Sequence, residues 1–155
     1  MPAIEIRPDD LRGPEIAALL TRHMDHMLAI TPADSVYALD LDALRVPEIT
    51  FWSAWIDADL VGCIALKDLG GGHGEIKSAH TVAERRGAGI GRALVAHLID
   101  EARIRGMTRL SLETGKTGHF RPAQALYRRF GFKETGPFGD YGPDPHSFFM
   151  TRALN

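Results

Sequence analysis

A glycine-rich turn at residues 85–92, with the sequence RRGAGIGR, constrains the fold of this chain more than any other feature. It joins a predicted strand at residues 75–82 to the clearest predicted helix, residues 89–105, whose apolar side chains recur at helical spacing. Glycines let the backbone approach a ligand closely, and a helix start directs free N–H groups and partial positive charge outward. The turn therefore predicts a site for an anion such as a pyrophosphate, with Arg86 and Arg92 adding formal charge.

Three phosphate-binding patterns compete for this region. The dinucleotide fingerprint G-x-G-x-x-G fails, because its last glycine would have to occupy the position of Arg92. The nucleoside-triphosphate loop also fails, although GKT at residues 115–117 resembles its end, because residue 110 is leucine where its first glycine belongs. The remaining pattern, Arg-x-x-Gly-x-Gly, is complete in Arg86, Gly89 and Gly91.

Strand and helix patterns alternate along the whole chain, without an internal repeat or a Pro/Gly-rich linker. We therefore predict one domain over residues 1–155, built as a mixed α/β sheet flanked by helices. The predicted strands are residues 3–7, 49–56, 60–66, 75–82, 109–113, 132–134 and 147–152, and the predicted helices are residues 8–26, 41–44, 89–105 and 122–130.

Three local predictions can be checked against the structure. Asp9 or Asp10 is the expected cap of the first helix, because a carboxylate there accepts hydrogen bonds from free N–H groups. Cys63 lies in an apolar strand and is expected to be a buried, unreactive thiol. If the strand at residues 75–82 alternates regularly, one face carries Glu75, Lys77, Ala79 and Thr81.

Composition and charge exclude several classes of protein. Hydrophobic residues make up 45% and charged residues 25% of the chain, which is the balance of a soluble globular domain. The net charge of −2 provides no positive field to attract nucleic acid. The longest apolar runs cover about seven residues, far fewer than the roughly 20 that span a bilayer. With a single cysteine and no signal-peptide pattern at the start, we expect a cytoplasmic protein.

A second block, AQALYRRFGF at residues 123–132, together with the Arg-x-x-Gly-x-Gly pattern, resembles the two signatures of the GNAT superfamily of N-acetyltransferases. The resemblance is specific over residues 75–132. The segments GEIKSAHTVAERRGAGIGRAL and GPFGDYGPDP are similar to a bacterial branch of small, largely uncharacterised acetyltransferases. The resemblance implies the acyl-CoA N-acyltransferase fold, with a mostly antiparallel sheet of about six to seven strands and about four flanking helices. It also implies acetyl-CoA as the co-substrate.

The resemblance further implies which residues hold acetyl-CoA. Backbone groups of the strand would pair with the pantetheine arm, and N–H groups of the turn would hold the pyrophosphate. These predicted cofactor residues are Ala79, His80 and Thr81 in the strand and Arg86, Gly87, Ala88, Gly89, Ile90, Gly91 and Arg92 in the turn. The asparagine that the family usually has before the tyrosine of the second block is replaced by Phe120, and the preceding loop at residues 115–119 is longer. The pantetheine contact is therefore expected to differ there.

Acetyl transfer to an amine sets three chemical tasks. An amine of pKa about 10.4 must lose a proton, charge on the carbonyl oxygen must be stabilised, and a departing thiolate of pKa about 8.5 must be neutralised. The resemblance assigns the last task to Tyr127, as general acid. Glu75 is the first candidate for the general base and Glu113 is its rival, while either carboxylate is alternatively a solvated group or a substrate anchor. The predicted substrate-binding residues are Glu113, His26 and His119.

The sequence thus indicates an N-acetyltransferase that moves the acetyl group of acetyl-CoA to a primary amine by direct attack, with a small molecule favoured slightly over a protein. Two alternatives stay open: a non-catalytic regulatory module that binds coenzyme A, and an acyltransferase for a longer acyl-CoA. No metal is expected, because His23 and His26 are joined by no further ligand cluster. Neither nucleic acid nor membrane is an expected partner. The acceptor, the acyl-chain preference and a homodimer stay open.

Overall fold

An open sheet of seven strands carries helices on both faces, in a computed structural model that describes residues 3–35 and 41–154. The strands are β1 (Glu5–Pro8), β2 (Ile49–Ile56), β3 (Asp59–Asp68), β4 (His73–Thr81), β5 (Arg109–Gly115), β6 (Lys133–Thr135) and β7 (Ser147–Ala153). The helices are α1 (Pro14–Ile30), α2 (Leu41–Leu44), α3 (Ile90–Ile104) and α4 (Arg121–Arg129). None of the helices in the described ranges has both the length and the apolar character needed to cross a bilayer.

The sheet is antiparallel except at its centre. Its strand order is β1-β2-β3-β4-β5-β7-β6, and only β4 and β5 are parallel neighbours within the described residues. Their pairing ends at Ile76 opposite Leu112, although β4 continues to Thr81 and β5 to Gly115. The two strands therefore diverge and open a cleft in the middle of the sheet. The predicted fold, a mostly antiparallel mixed sheet flanked by helices, is confirmed.

Two apolar cores fix the helices against the sheet. On one face, α3 and α4 pack through the stripe that the sequence predicted, in which Leu94 and Leu98 are at most 2% exposed. On the other face, α1 and α2 pack through residues such as Ile16 and Leu44. Burying one such side chain contributes roughly 1.5–3 kcal/mol to stability. Both cores therefore hold in place the elements that border the cleft.

The start of α1 differs from the prediction. The helix begins at Pro14, later than the predicted residue 8, and proline suits this position because its missing N–H would have no partner inside the helix. Asp9 and Asp10 do not cap the helix. Their carboxylates accept hydrogen bonds from the backbone N–H groups of Leu11 and Arg12, at 2.8 and 3.0 Å, which form turns before it. The same side-chain chemistry serves a turn as well as a cap, which is why the prediction was wrong.

A β-bulge at Ser78 inverts the two faces of β4 half-way along the strand. Ser78 has a φ of +52°, and the register between β3 and β4 shifts at this point. Before the bulge, Lys77 lies on the α1 side of the sheet; after it, His80 takes that side and Ala79 packs on the α3 side. The prediction of one shared face is wrong because an extra residue inverts every later side chain. That prediction had grouped Glu75, Lys77, Ala79 and Thr81.

Cys63 is buried beside the bulge, as predicted. Its exposed fraction is 0%, and its thiol donates a hydrogen bond to the Ser78 carbonyl at 3.2 Å. Burial raises the pKa of the Cys63 thiol, and a thiol that stays protonated is a poor nucleophile. Cys63 is therefore a packing residue of the sheet.

Candidate active site

The cleft between β4 and β5 has a volume of about 780 Å³. Side chains and backbone of α1, β4, β5 and α4 line it, together with the glycine-rich turn. Along β4, the cleft extends from Glu75, where Tyr141 of the β6–β7 loop borders it, to Thr81, the last residue of β4 before the glycine-rich turn. The candidate active site therefore has two ends of different chemistry.

The glycine-rich turn forms an open cradle at the start of α3. Gly87 and Gly89 have φ values of +84° and +82°, which residues with side chains rarely adopt, and no atom lies within 4 Å of where a Cβ would stand on either residue. Gly89 precedes the first helical residue, Ile90, and offers no side chain to cap the first N–H groups of α3. Arg86 and Arg92 are exposed beside them. Uncapped N–H groups, a helix dipole and two cations fit a pyrophosphate.

The other residues of the turn differ in what they do. A Cβ on Gly91 would lie 3.2 Å from Leu126, so glycine at this position lets α3 approach α4 closely. Ala88 is exposed and lies outside the lining of the cleft, whereas the remaining predicted residues of the turn line it. The pattern that identified the cradle thus combines binding and packing positions.

Beyond Ile76, one edge of β4 is free of strand pairing. β3 pairs with the opposite edge as far as Thr81, whereas β5 has left β4 at Leu112. An extended ligand can take the place of β5 and hydrogen-bond to this edge as an added strand does. The predicted pantetheine residues Ala79, His80 and Thr81 all lie on the free stretch and line the cleft.

Tyr127 reaches the cleft from the last turn of α4. Its side chain is 6% exposed and meets the Phe132 ring edge-on, with 5.6 Å between the ring centroids. Burial raises the pKa of Tyr127, so the phenol stays protonated at neutral pH. The structure therefore presents a neutral hydrogen-bond donor to the cleft at this position.

Glu75 is held in a closed ring of hydrogen bonds with Lys77 and Tyr141. The Lys77 Nζ atom lies 3.1 Å from Glu75 Oε2, and the Tyr141 hydroxyl donates to the same oxygen at 2.5 Å. Nζ also donates to the Tyr141 hydroxyl at 3.0 Å. The Lys77 and Glu75 side chains are only 9% and 4% exposed. The Glu75 carboxylate is therefore fixed in place by a buried cation and a phenol.

Glu113 faces the same part of the cleft from β5. Burial raises the pKa of Glu113 to about 7. The nearby Ser147 hydroxyl, although it makes no hydrogen bond of standard geometry, and the charge of Lys77 oppose this shift, whereas the charges of Asp144 and Glu75 add to it. A carboxyl group with a pKa near 7 exchanges protons readily at neutral pH, as a general base must.

Imidazoles border the cleft on the α1 side. The rings of His23 and His80 have centroids 4.5 Å apart. Burial, with smaller contributions from neighbouring positive charges, lowers the pKa of His23 to about 4 and that of His80 to about 3, so both rings are neutral at pH 7. His26 is exposed at the rim, and His119 lines the cleft from the loop before α4. The cleft therefore brings together the three predicted substrate contacts, Glu113, His26 and His119.

Phe120, which stands where the resemblance implies an asparagine, gives the cleft an apolar surface at the end of β5. A Cβ on Gly115 would lie 2.1 Å from the Phe120 ring, so only glycine fits against it. Gln124 of α4 donates a hydrogen bond to the Gly115 carbonyl at 2.8 Å. The longer loop therefore folds back on β5, and the cleft meets a ring here instead of an amide.

Three further residues border the cleft that the sequence did not predict as site residues: Lys77, His23 and Tyr141. Lys77 could have been predicted from the sequence, because alternation along β4 places it on the same face as Glu75. Tyr141 lies in a loop whose polar residues could reach a cationic acceptor but are more typical of an ordinary turn, and its contact with Lys77, 64 residues away, exists only in the folded sheet.

Comparison with known proteins agrees with this geometry. Residues 16–132 match the Acetyltransferase (GNAT) family. The chain is 48% identical to the uncharacterized N-acetyltransferase YsnE of Bacillus subtilis, over 97% of this chain and 100% of the relative. It is 44% identical to the IAA acetyltransferase of Azospirillum brasilense, over 87% and 88%. It superposes with a TM-score of 0.80, at 28% identity and over 98% of both chains, on a Klebsiella pneumoniae structure described as an acyl-CoA N-acyltransferase.

Replacing Glu113 by glutamine is expected to change how stability depends on pH. Between pH 4.5 and about 7 the unfolded chain has ionised this carboxyl while the folded chain still binds its proton, so the wild type loses up to about 1.4 kcal/mol per pH unit as pH rises. Glu113→Gln lacks this loss. In urea unfolding, the variant should therefore gain up to about 3 kcal/mol over the wild type between pH 4.5 and about pH 8.

The matched control is Glu134→Gln, which changes an exposed glutamate on β6. Its difference from the wild type should stay constant over the same pH range. A constant difference for Glu113→Gln as well would contradict the raised pKa.

Proposed function

Because this chain belongs to the GNAT family of acetyltransferases and is an acetyl-CoA-dependent N-acetyltransferase, we propose that it acetylates the primary amine of a small molecule, with Glu113 and Tyr127 handling the protons. One observation carries the proposal. A single cleft contains an anion cradle, a free strand edge, a buried phenol and a carboxyl group whose pKa is about 7.

The cofactor would lie along the free edge of β4. When bound, acetyl-CoA supplies an acetyl thioester. N–H groups at Gly87, Gly89 and the start of α3 hold its pyrophosphate, with Arg86 and Arg92 balancing the charge. Backbone groups of residues 79–81 pair with the pantetheine arm. An arm that starts at the turn and follows β4 back toward Ile76 leads to the point where the strands separate, beside the two glutamates.

We assign the general base to Glu113 rather than to Glu75, which was the first candidate from the sequence. The acceptor arrives as an ammonium, and ionised Glu113 both attracts it and accepts its proton. Glu75 already accepts hydrogen bonds from Lys77 and Tyr141, so its negative charge is balanced in place. Glu75 thus serves as a fixed counter-ion that keeps a buried ammonium beside Glu113.

Tyr127 acts on the leaving sulfur. The charge of a departing thiolate, whose conjugate acid has a pKa of about 8.5, requires a hydrogen-bond donor or a proton. Tyr127 stays protonated because burial raises its pKa, so its O–H is available to the sulfur throughout the reaction. The phenol therefore stabilises the departing thiolate by donating a hydrogen bond, and a proton that passes to the sulfur leaves with the thiol of coenzyme A and is replaced on Tyr127 from water.

The proposed function is tested by following thiol release from acetyl-CoA with a panel of acceptors. The panel contains amino acids, polyamines, aminoglycosides, peptides and IAA, after which the Azospirillum relative is named. Turnover of a small amine supports the proposal. If calorimetry detects binding of coenzyme A but no acceptor in the panel causes thiol release, the protein is a non-catalytic module. Faster thiol release from butyryl-CoA than from acetyl-CoA indicates that the acyl donor has a longer chain.

Substituting Tyr127 by phenylalanine should lower kcat by about 10²-fold to 10⁴-fold, because the leaving sulfur loses its donor. The variant keeps the ring that packs on Phe132, so its Kd for coenzyme A, measured by calorimetry, should stay within about twofold of the wild type. An unchanged kcat would remove Tyr127 from the mechanism.

The pH dependence of kcat/KM should separate the two glutamates. A base with a pKa of about 7 must be ionised to act, so the wild-type rate rises with pH through about 7. Glu113→Gln should be slower and should lack this rise. Glu75→Gln should keep it, since Glu113 remains. The opposite result, with the rise lost in Glu75→Gln and kept in Glu113→Gln, would assign the base to Glu75.

A further inference from the structure

The loop between β6 and β7, residues 136–146, crosses the end of the cleft that lies farthest from the glycine-rich turn; we call it the strap. Tyr141 attaches the strap to the sheet, because its hydroxyl donates a hydrogen bond to Glu75 and accepts one from Lys77. Both partners lie on β4 at the floor of the cleft and are almost fully buried. The strap therefore reaches into the sheet and does not simply pass over it.

Asp144 attaches the strap to a second element, the segment that follows α1. Its Oδ1 atom accepts a hydrogen bond from the Ser35 hydroxyl at 3.0 Å and one from the His146 backbone N–H at 2.8 Å. Ser35 follows α1 in the chain, and its residue is 8% exposed. The strap is thus joined to the segment after α1 at one point and to β4 at the other. It connects the two sides of the acceptor end.

Aromatic packing keeps the strap in this position. The rings of Phe138 and Tyr141 lie 5.1 Å apart, and each packs edge-on against Phe149 of β7, at 5.9 and 5.5 Å. Phe138 also contacts the His73 ring at 5.7 Å. Such edge-on aromatic pairs stabilise a structure beyond the area they bury. The Tyr141 side chain is therefore held by its ring as well as by its hydroxyl.

We infer that the strap limits the acceptor to a small amine and that Tyr141 is the specificity-determining residue of the strap. This inference rests on the proposed function. An amine that reaches Glu113 enters a space bordered by Tyr141 on the β4 side, with Asp144 close enough for its charge to act on Glu113. A compact cation suits this end, because Lys77 is already balanced by Glu75. Because the strap is joined to β4 at Tyr141 and to the segment after α1 at Asp144, an acceptor with a long chain beyond its amine would meet the strap at this end of the cleft.

Binding of bisubstrate conjugates tests this inference without requiring turnover. In each conjugate, coenzyme A is joined through an acetyl linker to an amine, which is either methylamine or the α-amine of a tripeptide amide. For the wild type, calorimetry should give a Kd for the tripeptide conjugate at least about tenfold weaker than that of the methylamine conjugate. Equal affinities would overturn the inference.

Two variants of Tyr141 separate the roles of its ring and its hydroxyl. Tyr141→Ala opens the strap and should reduce the discrimination between the conjugates by about tenfold. Tyr141→Phe keeps the ring, loses both hydrogen bonds and should reduce it by about threefold. The control is Asp140→Ala, an exposed neighbour in the strap, which should discriminate like the wild type. Wild-type discrimination in Tyr141→Phe and in Tyr141→Ala would overturn the inference.

The affinity for coenzyme A alone should be the same in all these variants, which shows that the cofactor end has folded. Size discrimination in a protein that acetylates no amine would count against the proposed function and leave the strap inference standing. Turnover of small amines together with equal binding of both conjugates would support the proposed function and overturn the strap inference.

Discussion

The site depends on a single interruption of backbone pairing. β4 and β5 are hydrogen-bonded only as far as Ile76 and Leu112, and from there β4 keeps one partner where an inner strand of a sheet has two. Backbone N–H and C=O groups left without a partner in a partly buried position are costly, so such an edge favours a ligand that hydrogen-bonds like a strand. The bulge at Ser78 falls within this stretch, where it turns His80 toward α1 and Ala79 toward α3. The cleft and its two differently lined walls follow from these two backbone features.

The two glutamates of the cleft differ in their electrostatic surroundings. One oxygen of Glu75 contacts both the Lys77 ammonium and the Tyr141 hydroxyl, so this carboxylate is fixed as part of the structure. Glu113 has no such ion pair in the described part of the chain, and burial raises its pKa to about 7. The neutral His23–His80 pair adds no charge. One group at the acceptor end is therefore poised to exchange protons at neutral pH, and the others set the field around it.

Local patterns in the sequence predicted the fold and the cradle. Contacts between residues that are far apart in the chain could not be predicted from such patterns. The stripe on α3 and the glycines of the turn are encoded within a few residues, so the helix and the anion site could be read directly. The bulge at Ser78 has no signature in the residue types, because serine is ordinary in a strand. Asp9 and Asp10 suit a turn and a cap equally. The contact of Tyr141 with Glu75 spans 66 residues and exists only once the sheet has formed.

Binding of coenzyme A at the glycine-rich turn is tested most directly by calorimetric titration of coenzyme A into two glycine variants. Gly89 and Gly106 have φ values of +82° and +78°, and nothing lies within 4 Å of a Cβ on either, so alanine strains both positions alike, by about 1–2 kcal/mol. Only Gly89 borders the cradle; Gly106 follows the other end of α3. We expect Gly89→Ala to weaken binding of coenzyme A by about tenfold or more and Gly106→Ala to leave its Kd unchanged. Equal affinities in the two variants, or no binding to the wild type, would contradict this expectation.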